Sequence, residues 1–73
     1  MRVLVEEVKL RDEFIKLGQA LKAVGLVDSG LDAKLVIQDG QVQVNGKVEY
    51  QRGKKLYEGD IVTFQENQIK IVK

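Results

Sequence analysis

The feature that most constrains the fold of this chain is a change of hydrophobic period at Gly40. Before Gly40, apolar residues recur at helical spacing, and after it they alternate with polar residues, as they do in a half-buried strand. Asn45-Gly46 separates two alternating runs. This pair favours a type I′ hairpin turn, because both central residues of that turn need a positive φ. The sequence therefore predicts helices first and an antiparallel hairpin after them.

Two short helices are predicted before the change of period. The first begins at Leu17 and ends near Gly25, and its buried face has amphipathic spacing, with Leu17, Ala20, Leu21 and Val24. Ser29 is a candidate N-cap for the second helix, with an acid three residues later at Asp32. Gly40 is placed to end this helix. Its buried face is predicted to hold Ala33, Val36 and Ile37.

Short apolar runs bounded by turn residues predict the strands. They lie at residues 3–5, 41–44, 47–50, 61–64 and 69–72. Asn67-Gln68 is expected to turn the chain into the last strand, and residues 6–13 suit a helix or a loop equally well. The predicted fold class is α+β, with two short helices packed on a small, mostly antiparallel sheet of four to five strands. At 73 residues, the chain is expected to form a single domain over 1–73.

The absence of two residue types excludes several common kinds of catalytic and metal site. The sequence contains no His and no Cys, so nucleophilic Ser-His or Cys-His pairs and zinc sites of the usual kind cannot be assembled. We therefore expect a non-catalytic protein without a metal or other cofactor. No apolar run approaches the ~20 residues of a membrane span, and acids at positions 6 and 7 stand where a signal peptide needs an apolar core. These features favour a cytoplasmic location and no membrane partner.

The net charge of +1 conceals an uneven distribution of charge. Residues 1–15 carry three bases and four acids, and residues 56–73 carry two bases and three acids, so each end is net −1. Residues 16–55 carry seven bases and four acids, which makes the centre net +3. Residues 47–55 alone hold four bases and one acid. Such a loop can face phosphates or can serve solubility, and the residues alone leave both interpretations open.

Single residues outside the basic loop are less informative. Lys34 is expected on the solvated outer face of the second helix. Tyr50 and Tyr57 could stack on nucleobases, as aromatic residues of RNA-binding proteins often do. Because the chain has only four aromatic residues, we expect both tyrosines to fill the core or its rim.

A series of short motifs runs in order along residues 14–64. These are Leu17 to Ser29, Ala33-Lys34, Ile37, Gly40-Gln-Val-Gln-Val-Asn-Gly46 and Gly59-Asp60. In this order and spacing they resemble the S4 RNA-binding domain, the alpha-L motif, in which two short helices pack on a small sheet and a basic face binds structured RNA. The continuation from Arg52 to Asp60 looks closest to small stand-alone bacterial members of the YaaA/YbcJ type, which are RNA-binding proteins linked to ribosome assembly.

The resemblance implies a partner and a set of binding residues. The partner would be structured RNA, either ribosomal or tRNA-like, or a ribosomal subunit precursor, and the protein would bind it as a monomer. The binding residues would be Lys16, Ser29, Gly30, Lys34, Lys47, Arg52, Lys54 and Lys55. Typical members have an Arg after the capping Ser and begin the first helix with Arg-Leu-Asp, whereas here these positions read Gly30 and Lys16-Leu17-Gly18. We expect the helices and the basic loop to converge on one positive face. Without the arginine at position 30, discrimination of RNA bases or shape should be weaker. The backbone N–H of Gly30 should remain available for a phosphate.

A β-grasp module of the TGS type is the alternative, acting in regulation or in protein interaction. The stretch from Val42 to Phe64 resembles it, because both share Val-Asn-Gly and Gly-Asp turns. A β-grasp has one longer helix between hairpins, so the helix count distinguishes the two folds. A sulfur carrier of that fold would need a C-terminal Gly-Gly, whereas this sequence ends Ile71-Val72-Lys73, and we expect no such activity.

Overall fold

The computed structural model describes residues 4–73, which form two helices and seven strands. In chain order these are β1 Leu4–Lys9, β2 Ile15–Lys16, α1 Leu17–Ala23, α2 Gly30–Gln38, β3 Val42–Val44, β4 Lys47–Val48, β5 Lys55–Leu56, β6 Ile61–Phe64 and β7 Asn67–Val72. Both helices lie where their apolar spacing predicts them. The first strand is longer than predicted and includes residues 6–9, while Val3 of that prediction lies outside the described residues.

The larger sheet has five strands in the order β1-β7-β6-β3-β4. All its neighbours are antiparallel except β1 and β7, which pair in parallel from Leu4 opposite Asn67 to Lys9 opposite Val72. The prediction of a small, mostly antiparallel sheet beneath two helices is confirmed. The parallel pair was not foreseen, because it joins two segments about sixty residues apart whose own patterns say nothing about each other.

Local turn chemistry explains the hairpin. Asn45 and Gly46 have φ values of 52° and 84°, as a type I′ turn requires. The Asn45 side chain also ties this turn to the next one, since its Nδ2 donates to Asp60 Oδ1 at 3.0 Å and its Oδ1 accepts from the Ile61 N–H at 2.9 Å. The Val-Asn-Gly and Gly-Asp motifs are thus two halves of one hydrogen-bonded corner.

The last turn corrects one prediction. Asn67 and Gln68 do not turn the chain but begin β7, with Asn67 opposite Phe64. The turn instead falls at residues 65–66, where Gln65 adopts a φ of 57°. A two-residue connection between β6 and β7 sets this position, and it places a residue with no strong turn preference in the left-handed region.

The helices begin and end next to the capping residues that the sequence predicts. The Ser29 hydroxyl accepts from the Asp32 N–H at 3.2 Å, which confirms Ser29 as the N-cap of α2. Gly25 and Gly40 follow the two helices with φ values of 76° and 77°, the left-handed conformation that glycine adopts without penalty. On α2, Ala33 and Ile37 are buried as predicted and Val36 is half-buried.

One apolar core joins the helices to the sheets. Its largest fully buried side chains are Leu17, Leu21, Ile37, Leu56, Ile69, Ile71, Val42 and Val62. The helices have seven and nine residues, so the one longer helix of the β-grasp alternative does not occur in the described chain. Neither helix of residues 4–73 is long and apolar enough to cross a membrane, and no three potential ligand side chains gather there around a possible metal ion.

Candidate nucleic-acid interface

A second, two-stranded sheet positions the basic residues. Ile15 of β2 lies opposite Leu56 of β5, and Lys16 lies opposite Lys55. Residues directly opposite each other in an antiparallel pair present their side chains on the same face. Leu56 is fully buried on the inner face, so Lys16 and Lys55 stand side by side on the outer face. Two like charges at this spacing destabilise a strand pair, which makes their juxtaposition a candidate binding feature.

The basic loop is anchored to the start of α1. The Leu17 N–H donates to the Lys54 carbonyl oxygen at 2.8 Å, and the Gly18 N–H donates to that of Arg52 at 3.1 Å. These two amides belong to the first turn of the helix, where the helix itself supplies no acceptor. The loop therefore satisfies the helix end, and the helix end holds the loop.

Gly18 leaves space for the side chain of Arg52. A Cβ atom built on Gly18 would lie 2.7 Å from Arg52 Cγ and 3.3 Å from Arg52 Cδ. Carbon atoms pack favourably at about 3.5–4.0 Å, so any larger residue would displace this side chain. Gly18 stands where the Arg-Leu-Asp pattern has its Asp. This glycine leaves room for the aliphatic part of Arg52 to cross the start of α1.

A first groove lies between the helix starts and the basic loop. It is about 350 Å³ in volume and is lined by Lys16, Gly18, Gln19, Lys22, Gly30, Arg52 and Gly53. Three of the predicted binding residues, Lys16, Gly30 and Arg52, therefore come together. Lys22 joins them although it was not among the predicted residues. Its spacing of three from Gln19 on the polar face of α1 was the signal that could have found it.

A second groove lies beside β5 of the two-stranded sheet. Lys47, Lys54 and Lys55 line it, together with Val44, Asn45, Glu49, Tyr57 and Asp60. Its two carboxylates are engaged by the backbone. Asp60 Oδ2 accepts from the Tyr57 N–H at 2.8 Å, and Glu49 Oε2 accepts from the N–H groups of residues 50 and 51, each at 3.1 Å.

Two predicted binding residues have other surroundings. Lys34 is exposed on α2 and, among the described residues, lines neither groove. Ser29 is half-buried, and its hydroxyl is occupied by the Asp32 N–H. The other six predicted residues divide between the two grooves, which meet where Lys16 faces Lys55.

The side chain of Tyr57 lines the second groove. Tyr57 is 49% exposed and Tyr50 is 61% exposed, so the expectation that they fill the core or its rim is wrong. The ring of Tyr57 lies 6.1 Å from that of Phe14, measured between centroids, with 53° between the ring planes. The Lys55 ammonium lies 4.8 Å from the centroid of the Phe14 ring, within the range of a cation–π interaction.

Known proteins resemble this chain over most of its length. Residues 8–72 match the family model described as the S4 domain. The probable ribosome maturation protein RlbA of Bacillus subtilis is 36% identical over 62 residues, which cover 85% of this chain and 87% of RlbA. YbcJ of Escherichia coli is 36% identical over 58 residues, which cover 80% of this chain and 83% of YbcJ. The solution structure of E. coli YbcJ, described as revealing an alpha-L motif involved in RNA binding, superposes with a TM-score of 0.69 at 29% identity and covers 100% of this chain and 91% of that one.

Proposed function

Because the chain belongs to the S4 domain family, we propose that it binds structured RNA through the basic residues on either side of the β2–β5 pair. The observation that carries this proposal is the pairing of Lys16 with Lys55, which joins the two lysine-rich grooves. The alpha-L motif described for E. coli YbcJ supports RNA as the ligand. The name of B. subtilis RlbA supports ribosomal RNA, or a ribosomal precursor containing it, over a tRNA-like RNA.

Phosphate groups are the part of RNA that the first groove suits. Lysine ammonium groups act as point charges toward phosphate, and the planar guanidinium of Arg52 can form two parallel hydrogen bonds to one phosphate. Gly30 is the first residue of the nine-residue α2, where backbone N–H groups point out of the helix and favour an anion. Ser29 supports this arrangement as the cap of the helix, without touching the RNA itself.

Recognition of this kind reads shape more than sequence. Contacts to phosphates fix the position of a protein on a nucleic acid but carry no base information. Helical RNA offers side chains little access to its base edges, so double-stranded segments are recognised by geometry. With Gly30 in place of the usual arginine, we propose that the domain formed by residues 1–73 binds RNA as a non-catalytic cytoplasmic monomer with little base preference.

A salt titration with two matched triple variants tests the proposal. Arg52, Lys54 and Lys55 are replaced together by Ala in the first variant, and the exposed Lys9, Lys70 and Lys73 in the second, so both lose three positive charges. The RNA is a ribosomal hairpin. If five Lys or Arg side chains each contact one phosphate, the logarithm of the affinity falls against the logarithm of the salt concentration with a slope of roughly −3.5 to −4.5 for the unaltered protein.

The first variant is expected to bind more weakly and with a slope shallower by about 2 to 3, while the second keeps nearly the full slope. Thermal unfolding checks that both variants fold. Equal losses in the two variants would show that only net charge matters, and the assignment of the binding residues would then be wrong.

A further inference from the structure

The outer face of the two-stranded sheet carries an aromatic pair beside its two lysines. Extending the register of Ile15 with Leu56 by one residue brings Phe14 level with Tyr57. Alternation then puts these rings on the same face as Lys16 and Lys55, away from the buried Leu56. The centroid distance of 6.1 Å between the two rings agrees with this placement.

We infer that Tyr57 is a stacking site for an unpaired nucleobase of the bound RNA. This inference rests on the proposed function and adds a second mode of contact to it. Phosphate contacts would hold the RNA backbone, and the tyrosine ring would hold a base that is free of pairing, such as one in a loop or a bulge.

The exposure and rigidity of Tyr57 support a role as a platform. The residue is 49% exposed to solvent. Its backbone is held on both sides, because the Tyr57 N–H donates to Asp60 Oδ2 at 2.8 Å and its carbonyl oxygen accepts from the Asp60 N–H at 3.0 Å. A ring on a fixed turn loses little conformational freedom when a base stacks on it.

The neighbours of Tyr57 indicate a nucleotide as the occupant. Phe14 is half-buried and already has the Lys55 ammonium beside it at 4.8 Å, so the open aromatic surface is that of Tyr57. Lys47, Lys54 and Lys55 line the same groove, and its Asp60 carboxylate is held by the backbone and by Asn45. Cations around an exposed ring suit a base with its attached phosphate better than an apolar protein surface.

Tyrosine fluorescence can report this contact directly. The chain has two tyrosines and no tryptophan, so a Tyr50→Phe variant leaves Tyr57 as its one tyrosine. This variant is titrated with single-stranded oligouridylate and with an abasic phosphodiester oligomer of equal length. Stacking predicts quenching by oligouridylate and little by the abasic oligomer. Equal quenching by both oligomers would overturn the inference, because the signal would then come from the phosphates.

Affinity measurements give an independent test with a hairpin that carries one bulged uridine. Tyr57→Leu is expected to weaken binding about tenfold with an unchanged salt slope, because a stacked base contributes affinity without releasing counterions. Tyr57→Phe, which keeps the ring, should bind within about twofold of the unaltered protein. Tyr50→Leu is the control at the other exposed tyrosine and should have little effect.

The outcomes separate this inference from the proposed function. If Tyr57→Leu binds the bulged hairpin as tightly as the unaltered protein, while the triple replacement of Arg52, Lys54 and Lys55 weakens binding, the stacking site is wrong and phosphate binding stands. If the unaltered protein binds neither the hairpin nor the oligomers, the proposed function fails and the stacking site fails with it. Weakened binding by Tyr57→Phe equal to that by Tyr57→Leu would also refute stacking, because the ring would then not matter.

Discussion

Replacing Gly18 with alanine tests whether the position of Arg52 governs RNA binding. The new methyl carbon would lie 2.7 Å from Arg52 Cγ, roughly 1 Å inside the favourable carbon–carbon distance. Its distance to Ala33 Cβ is 3.7 Å, an ordinary contact, so the arginine side chain is the part that must move. We therefore expect Gly18→Ala to leave the fold intact and to shift the guanidinium away from the first groove.

Gly18→Ala is expected to preserve or raise the stability of the protein while it weakens RNA binding. Alanine favours a helix over glycine by up to about 1 kcal/mol, so the free energy of unfolding should stay the same or rise slightly. A hydrogen bond to a charged group contributes about 1.5–3 kcal/mol, and its partial loss should weaken RNA binding about threefold to thirtyfold. A variant that is at least as stable but binds more weakly cannot be explained by unfolding.

The assay is fluorescence polarisation of a labelled RNA hairpin, with thermal unfolding followed by circular dichroism. In an Arg52→Ala background, Gly18→Ala should have no further effect, since the side chain it displaces is gone. Unchanged binding by Gly18→Ala, or an equal additional loss in the Arg52→Ala background, would refute the positioning role.

Three further predictions concern other parts of the site. Asn45→Ala should lower the free energy of unfolding by about 1–3 kcal/mol in urea denaturation, because it removes two hydrogen bonds that join the hairpin turn to the Asp60 turn; an unchanged midpoint would contradict this. Ser29→Ala should cost about 1 kcal/mol of stability through loss of the cap, with no change in the salt slope of RNA binding; a shallower slope would show that Ser29 belongs to the phosphate site after all. Lys22→Ala should make the salt slope shallower by about 0.7–0.9, and Lys34→Ala should change it less, because Lys34 lines neither groove among the described residues; equal effects would remove the reason for placing Lys22 in the site.

The helices and the hairpin were predictable because their signals are local. Apolar spacing from Leu17, the cap at Ser29 and the glycines that follow each helix act within a turn or two of the chain. The Asn45-Gly46 turn likewise depends on the φ values of two adjacent residues. The prediction of a turn at Asn67 is wrong because turn propensity is a local signal, whereas the place of Asn67 in β7 is set by its pairing with Phe64.

The candidate site was predictable only in part. Charge counts located the basic centre of the chain, and the family resemblance selected residues from it. They did not show that Lys16 faces Lys55, that Lys22 shares a groove with Arg52, or that Tyr57 lies exposed beside the lysines. These relations join segments that are far apart in sequence or on separate elements.

Sequence by itself determined the order of the two helices and of the strands of the larger sheet, the hairpin and the basic character of the centre, because each depends on residues within a few positions of one another. Tertiary structure alone decided the parallel pairing of β1 with β7 and the two-residue β2–β5 contact. It also decided that a glycine at position 18 faces Arg52. A two-residue strand has no period of its own, so it forms only when the rest of the core brings its partner into register.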